Sequence, residues 1–104
     1  MSQEHVVASA ILTNEAGMHA RPSVKLTQLA KSFAATIEVA TDEAGPWVDA
    51  KSPVRLMRFR APQGTRLWMR ASGEGAEQAL EQVMSLVARN FDEPGATPDG
   101  GGHG

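Results

Sequence analysis

His19, Arg21 and Pro22 stand together in the stretch Gly17-Met18-His19-Ala20-Arg21-Pro22-Ser23, and these residue types in this order suit chemistry on an anion. An imidazole nitrogen is a nucleophile. Arginine is a planar, permanently charged donor that matches phosphate oxygens. Proline is accepted in the first turn of a helix, where its missing N–H would lack a partner in any case. The residues that follow carry apolar side chains at Leu26, Leu29, Ala30 and Phe33, the spacing of an amphipathic helix. His19 is therefore expected at a helix N-terminus, where unpartnered backbone N–H groups and a partial positive charge favour an oxyanion or phosphate. Gly17 removes a side chain where the loop must turn and where another molecule must approach. The pattern reads as a nucleophilic imidazole built into an anion site, with Ala20 and Arg21 beside it.

The rest of the chain must hold that loop and helix in place. Residues 5–13 read as a strand rich in Val, Ile and Ala, with Ala8, Ala10 and Leu12 towards the core. Residues 35–40 form a second strand, with Ile37 and Val39 on one face. Asp42-Glu43-Ala44-Gly45-Pro46 is a turn by composition, and residues 47–50 return as a short antiparallel strand. Ser52-Pro53 opens a middle helix to about Arg60, serine as cap and proline at the first helical position. Leu56 and Phe59 are its inward residues, with Val54, Arg55, Met57 and Arg58 more exposed. Residues 66–71 alternate, Leu67, Met69 and Ala71 towards the core and both arginines outward. The last helix carries a stripe of Ala76, Ala79, Leu80, Val83, Leu86, Val87 and Phe91. The order β-α-β-β-α-β-α packs economically as an α+β fold, helices on one face of a four-stranded antiparallel sheet. Residues 1–93 are the expected domain, and the Gly/Pro-rich residues 94–104 an expected disordered tail.

Gly-Met-His-Ala-Arg-Pro-Ser resembles the active-site signature of the HPr family, the histidine phosphocarriers of the phosphoenolpyruvate-dependent phosphotransferase system, and also that of the nitrogen-related paralogue. Ala50-Lys51-Ser52 resembles the segment around the family's regulatory serine, and Gln63-Gly64-Thr65 the turn into its last strand. The order and spacing of elements fit from about His5 to Phe91. The resemblance implies an open-faced sandwich. It makes His19 the phosphohistidine acceptor, with Ala20 and Arg21 at the phosphoryl oxygens. It also implies a donor, enzyme I, and acceptors, enzyme IIA domains. Ser52 matches the serine that a dedicated kinase phosphorylates in some members. Pro53 and the run Arg55-Leu56-Met57-Arg58-Phe59-Arg60 depart from the usual family segment and make it more basic. A docking surface for these partners is expected on the outer faces of the two helices, through Val24, Gln28 and Lys31 and through Pro53, Val54 and Met57. Lys25, Lys31, Arg55 and Arg58 would form its basic rim.

The 104 residues suffice for one modest core. Ten Lys and Arg against twelve Asp and Glu give no general footprint for nucleic acid. The absence of cysteine excludes disulfides and thiolate chemistry. No apolar run approaches a membrane span, and Glu4 and His5 stand where a signal peptide would need a basic start, so a soluble cytoplasmic protein is expected; a monomer is expected as well. His5, His19 and His103 have no metal-ligand spacing, and no cofactor is implied. The second functional reading is a regulatory binding module that controls a target enzyme or transcription factor by its phosphorylation state. Retention of both His19 and Arg21 favours the relay.

Overall fold

A computed structural model describes residues 5–13 and 17–92. Four strands, β1 (Val6–Ile11), β2 (Thr36–Ala40), β3 (Val48–Asp49) and β4 (Arg66–Ser72), form one antiparallel sheet in the order β1-β4-β2-β3. Among the described residues three helices, α1 (Ala20–Lys31), α2 (Pro53–Met57) and α3 (Ala76–Ala88), follow β1, β3 and β4 in turn, and a single 3-10 turn at Asn90–Asp92 follows α3. The expected tail, residues 94–104, lies outside the described residues, as do residues 1–4 and 14–16.

Alternation decides which face of the sheet is buried. Ile37 and Val39 on β2 and Leu67, Met69 and Ala71 on β4 are fully buried. Ala8 and Ala10 of β1 pack against them, and Leu12 just beyond β1 is buried as well. The helices close this face with Leu26 and Ala30 from α1 and Ala79, Val83, Leu86 and Val87 from α3. Each fully buried Leu, Ile, Val or Met among them contributes about 1.5–3 kcal/mol by leaving water, and each alanine less. The register puts Val7, Arg70 and Glu38 in one row across the outer face, and Ser9, Trp68 and Ala40 in the next.

Three expectations are corrected. Phe91 does not extend the stripe of α3, because the helix stops at Ala88. The chain then bends through Asn90, Phe91 and Asp92, all with positive φ, and this bend turns Phe91 back into the core, where it is fully buried. Each left-handed residue costs on the order of 1 kcal/mol, and burial of the Phe91 ring offsets that cost. Arg89 hydrogen-bonds the Asp92 carboxylate across the bend, which holds Asp92 below the ordinary carboxyl range and raises Arg89. The third strand begins at Val48 rather than at 47; Trp47 instead lies flat under Arg70, 4.2 Å from ring centre to guanidinium carbon. Lastly, α2 ends at Met57, and the chain leaves it through Arg60 with φ 51°.

Candidate functional site

His19 is the N-cap of α1. Its backbone is extended (φ −122°, ψ −164°), its carbonyl accepts the Ser23 N–H at 3.0 Å, and its imidazole does not cap the helix. The first turn carries no acidic residue, which suits a helix N-terminus that is to receive an anion. Pro22 sits in that turn, two residues later than the helix start, and is buried; Ala20 and Arg21 are exposed, and His19 is half-buried. The helix is amphipathic as its spacing predicts: Leu26, Thr27 and Ala30 face inward, while Val24, Gln28 and Lys31 lie on the exposed side with Ala20.

The loop before His19 is anchored at both ends to one segment, residues 61–65. Leu12 N–H donates to the Thr65 carbonyl at 2.8 Å, Gly64 N–H to the Leu12 carbonyl at 2.8 Å, and Gln63 Nε2 to the Thr13 carbonyl at 2.9 Å. On the far side of the loop, Met18 N–H donates to the Ala61 carbonyl at 2.8 Å. Gly17 is required there twice over. Its φ is +71°, and a Cβ would collide with the Ala61 carbonyl oxygen and lie 2.8 Å from Pro62 Cα. The Thr13 hydroxyl also hydrogen-bonds Asn90 in the bend after α3.

The second helix is brought against the first. Ser52 is its N-cap, with Oγ accepting the Arg55 N–H over a long 3.4 Å, and Pro53 occupies the first turn. The buried Thr27 hydroxyl of α1 donates to the Ala50 carbonyl at 3.0 Å, and Lys51 Nζ to the Phe33 carbonyl at 2.9 Å. Leu56 is buried, Phe59 half-buried, Pro53 and Met57 half-exposed. Val24 on α1 is 41% exposed and Val54 on α2 56%, so each helix presents one large apolar side chain.

Lys25 is not part of the rim. Its ammonium donates to the Phe91 carbonyl at 2.7 Å and the Asp92 carbonyl at 3.3 Å, tying α1 to the bend that buries Phe91. Arg55, Arg58 and Lys31, the other residues expected in the rim, are exposed. The basic residues also cluster along the sequence, two of them, Arg66 and Arg70, on the outer face of the sheet. Residues 16–37 and 50–73 contain nine of the ten Lys and Arg and no Asp or Glu, although the whole chain carries a net charge of −2. Overall balance hides a segregated charge.

The match to known proteins agrees with this arrangement. Residues 6–89 match the family model described as PTS HPr component phosphorylation site. The chain belongs to the HPr family. It is 37% identical over 82 residues to phosphocarrier protein NPr of Escherichia coli strain K12, covering 79% of this chain and 90% of that one. Phosphocarrier protein HPr of Cupriavidus necator is 34% identical with the same coverage. Among solved structures, HPr from Thermoanaerobacter tengcongensis superposes with a TM-score of 0.76 at 28% identity, covering 85% of this chain and 97% of that one. The fold is thus the HPr-like open-faced sandwich, and this HPr-family chain is a phosphocarrier of the phosphotransferase system. No helix among the described residues is long and apolar enough to cross a membrane.

Proposed function

We propose that His19 accepts a phosphoryl group from the phosphohistidine of enzyme I and passes it to an enzyme IIA domain, the protein acting as a cytoplasmic monomer whose carrier domain is residues 1–93. The single observation that carries this reading is the position of His19 as N-cap of a helix whose first turn has Arg21 and no carboxylate. In the transfer, a lone pair on the His19 imidazole forms a bond to phosphorus. The phosphorus–nitrogen bond of the donor breaks, and its electron pair returns to the donor imidazole. The nucleophile needs to be held in line and the equatorial oxygens neutralised, with little other covalent work. The α1 N-terminus and Arg21 supply that neutralisation. Two phosphohistidines are near equals in energy, so the group moves on as readily as it arrives.

Val24, Gln28 and Lys31 on α1 and Pro53, Val54 and Met57 on α2 form the docking surface, and Arg55 and Arg58 border it. A modest apolar centre within a basic rim suits brief encounters with an acidic partner. Ser52 lies at its edge. A phosphate placed there by a serine kinase would meet the incoming acidic surface and repel it. Accordingly, Ser52→Asp slows transfer at low salt and leaves the melting temperature unchanged; a wild-type rate would leave Ser52 as a helix cap alone.

The test of the reading is a time course with phosphoenolpyruvate and enzyme I of the sugar or nitrogen-related branch. Arg21→Ala is expected to slow labelling by at least tenfold, as the loss of one charge-assisted contact in the transition state costs a few kcal/mol. Wild-type kinetics in that variant would make Arg21 a surface charge only.

A further inference from the structure

Arg60 is exposed and left-handed, with φ 51°, directly after the turn that ends α2. Its N–H donates to the Met57 carbonyl at 3.2 Å, so the conformation is the one that terminates the helix and sends the chain towards Ala61. Glycine adopts it without strain, whereas an arginine there is disfavoured. The next residue, Ala61, is buried and accepts the Met18 N–H at 2.8 Å. One residue on from Met18 is His19. Bond lengths along this path place the Cα atoms of Arg60 and His19 within about 14 Å of each other. A standard interface covers about 800 Å² per partner, a patch roughly 16 Å in radius. A partner centred on His19 thus reaches far enough to touch Arg60.

We propose that Arg60 is a specificity-determining contact, a guanidinium held at the border of the His19 site to engage carboxylates on the partner that exchanges the phosphoryl group. The inference rests on the relay reading above and adds to it a residue outside both helices. Three observations converge on it: the strained conformation, the backbone link to the His19 loop, and the position of Arg60 within a stretch, residues 50–73, that has no acidic residue. With no carboxylate nearby in sequence, its charge is available to a partner.

The experiment compares wild type, Arg60→Gly, Arg60→Lys and Arg66→Gln as substrates of enzyme I at low and high salt, with a melting curve for each. Arg66 lies on the outer face of the sheet, where it hydrogen-bonds Ser9, and controls for net charge. Arg60→Gly is expected to melt at or above the wild-type temperature. Its KM should rise about threefold to fivefold at low salt with kcat unchanged, the scale of one exposed charge pair. The difference should shrink at high salt. Arg60→Lys should restore most of the loss, and Arg66→Gln should show little. Equal KM for wild type and Arg60→Gly, a fall in kcat alone, or an equal effect of Arg66→Gln would overturn the proposal. A wild type that takes no phosphoryl group from either enzyme I would overturn the relay reading and this proposal together; labelled wild type with an indifferent Arg60→Gly sinks only the latter.

Discussion

The two broad surfaces of this molecule both carry arginines and exposed apolar side chains, yet they use them differently. On the outer face of the sheet Val7 is 48% exposed and Ile11 39%, comparable to Val24 and Val54 on the helical side. There, however, the arginines are satisfied within the chain. Arg70 donates to Glu38 at 2.8 Å and covers the Trp47 ring, and Arg66 donates to Ser9 Oγ at 3.0 Å. On the helical side Arg55, Arg58 and Arg60 are exposed in a stretch without any carboxylate. Exposed apolar area alone does not distinguish the faces. The difference lies in where the charge points, inward on the sheet and outward on α2 and the turn after it.

The largest effect is expected at Gly17, where the chain before His19 passes close to Ala61 and Pro62. Gly17→Ala puts a methyl group into the Ala61 carbonyl at a backbone angle that alanine disfavours. We expect a loss of about 2–3 kcal/mol in chemical denaturation, together with slower phosphoryl transfer as residues 17–19 pull away from residues 61–62. A wild-type denaturation midpoint would show that the loop is not held by that contact.

Next in size is the charge of the helical side. The double variant Arg55→Glu with Arg58→Glu should raise the KM for enzyme I by about tenfold at low salt and lose most of that effect at high salt, without a change in fold by circular dichroism. On the sheet side, Glu38→Gln removes the partner of Arg70. The pair is half-exposed, so the stability cost should be about 0.5–1 kcal/mol and the transfer rate unchanged. If the sheet variant slowed transfer as much as the helical one, the division of labour between the faces would be wrong.

The smallest effect is expected at the bend after α3. The Arg89 hydrogen bond lowers the Asp92 carboxyl in the folded protein, helped by the charges of Arg89 and Lys25. A depressed carboxyl contributes stability above its unfolded value and loses it as the pH falls through the folded one. The slight advantage of wild type over Asp92→Asn should therefore be present at pH 7 and fade below about pH 4. Melting curves at several pH values check this, and a difference that persisted at pH 2 would assign the effect to something other than the ion pair.

Much of this was legible in the residues themselves. The 3.6-residue spacing of Leu26 and Ala30 and the alternation of Leu67, Met69 and Ala71 state which faces are buried, and Ser52-Pro53 states where α2 begins. The reading failed where distant residues decide the outcome. Phe91 follows Val87 at helical spacing, so periodicity runs straight across the end of α3; Asn90, a residue that tolerates the left-handed region, was the visible stop. Lys25 lies between exposed and buried positions on α1, and only the fold brings the carbonyls of the bend within its reach. The contact between Gly17 and Ala61 joins segments 44 positions apart, which no local pattern reports. The segregation of charge, by contrast, was in the sequence throughout and was masked by the near-neutral total.

Intact-mass spectrometry reads directly whether the phosphoryl group resides on His19. Wild type and His19→Ala are incubated with phosphoenolpyruvate and catalytic enzyme I, then split between neutral and acidic quench. Wild type should gain one phosphoryl group that survives neutral conditions and is lost in acid, the behaviour of a phosphoimidazole. His19→Ala should gain none while melting as wild type does, since the half-buried loop position leaves no core cavity when truncated. Equal labelling of the two proteins, or an acid-stable phosphate on wild type, would show that His19 is not the acceptor.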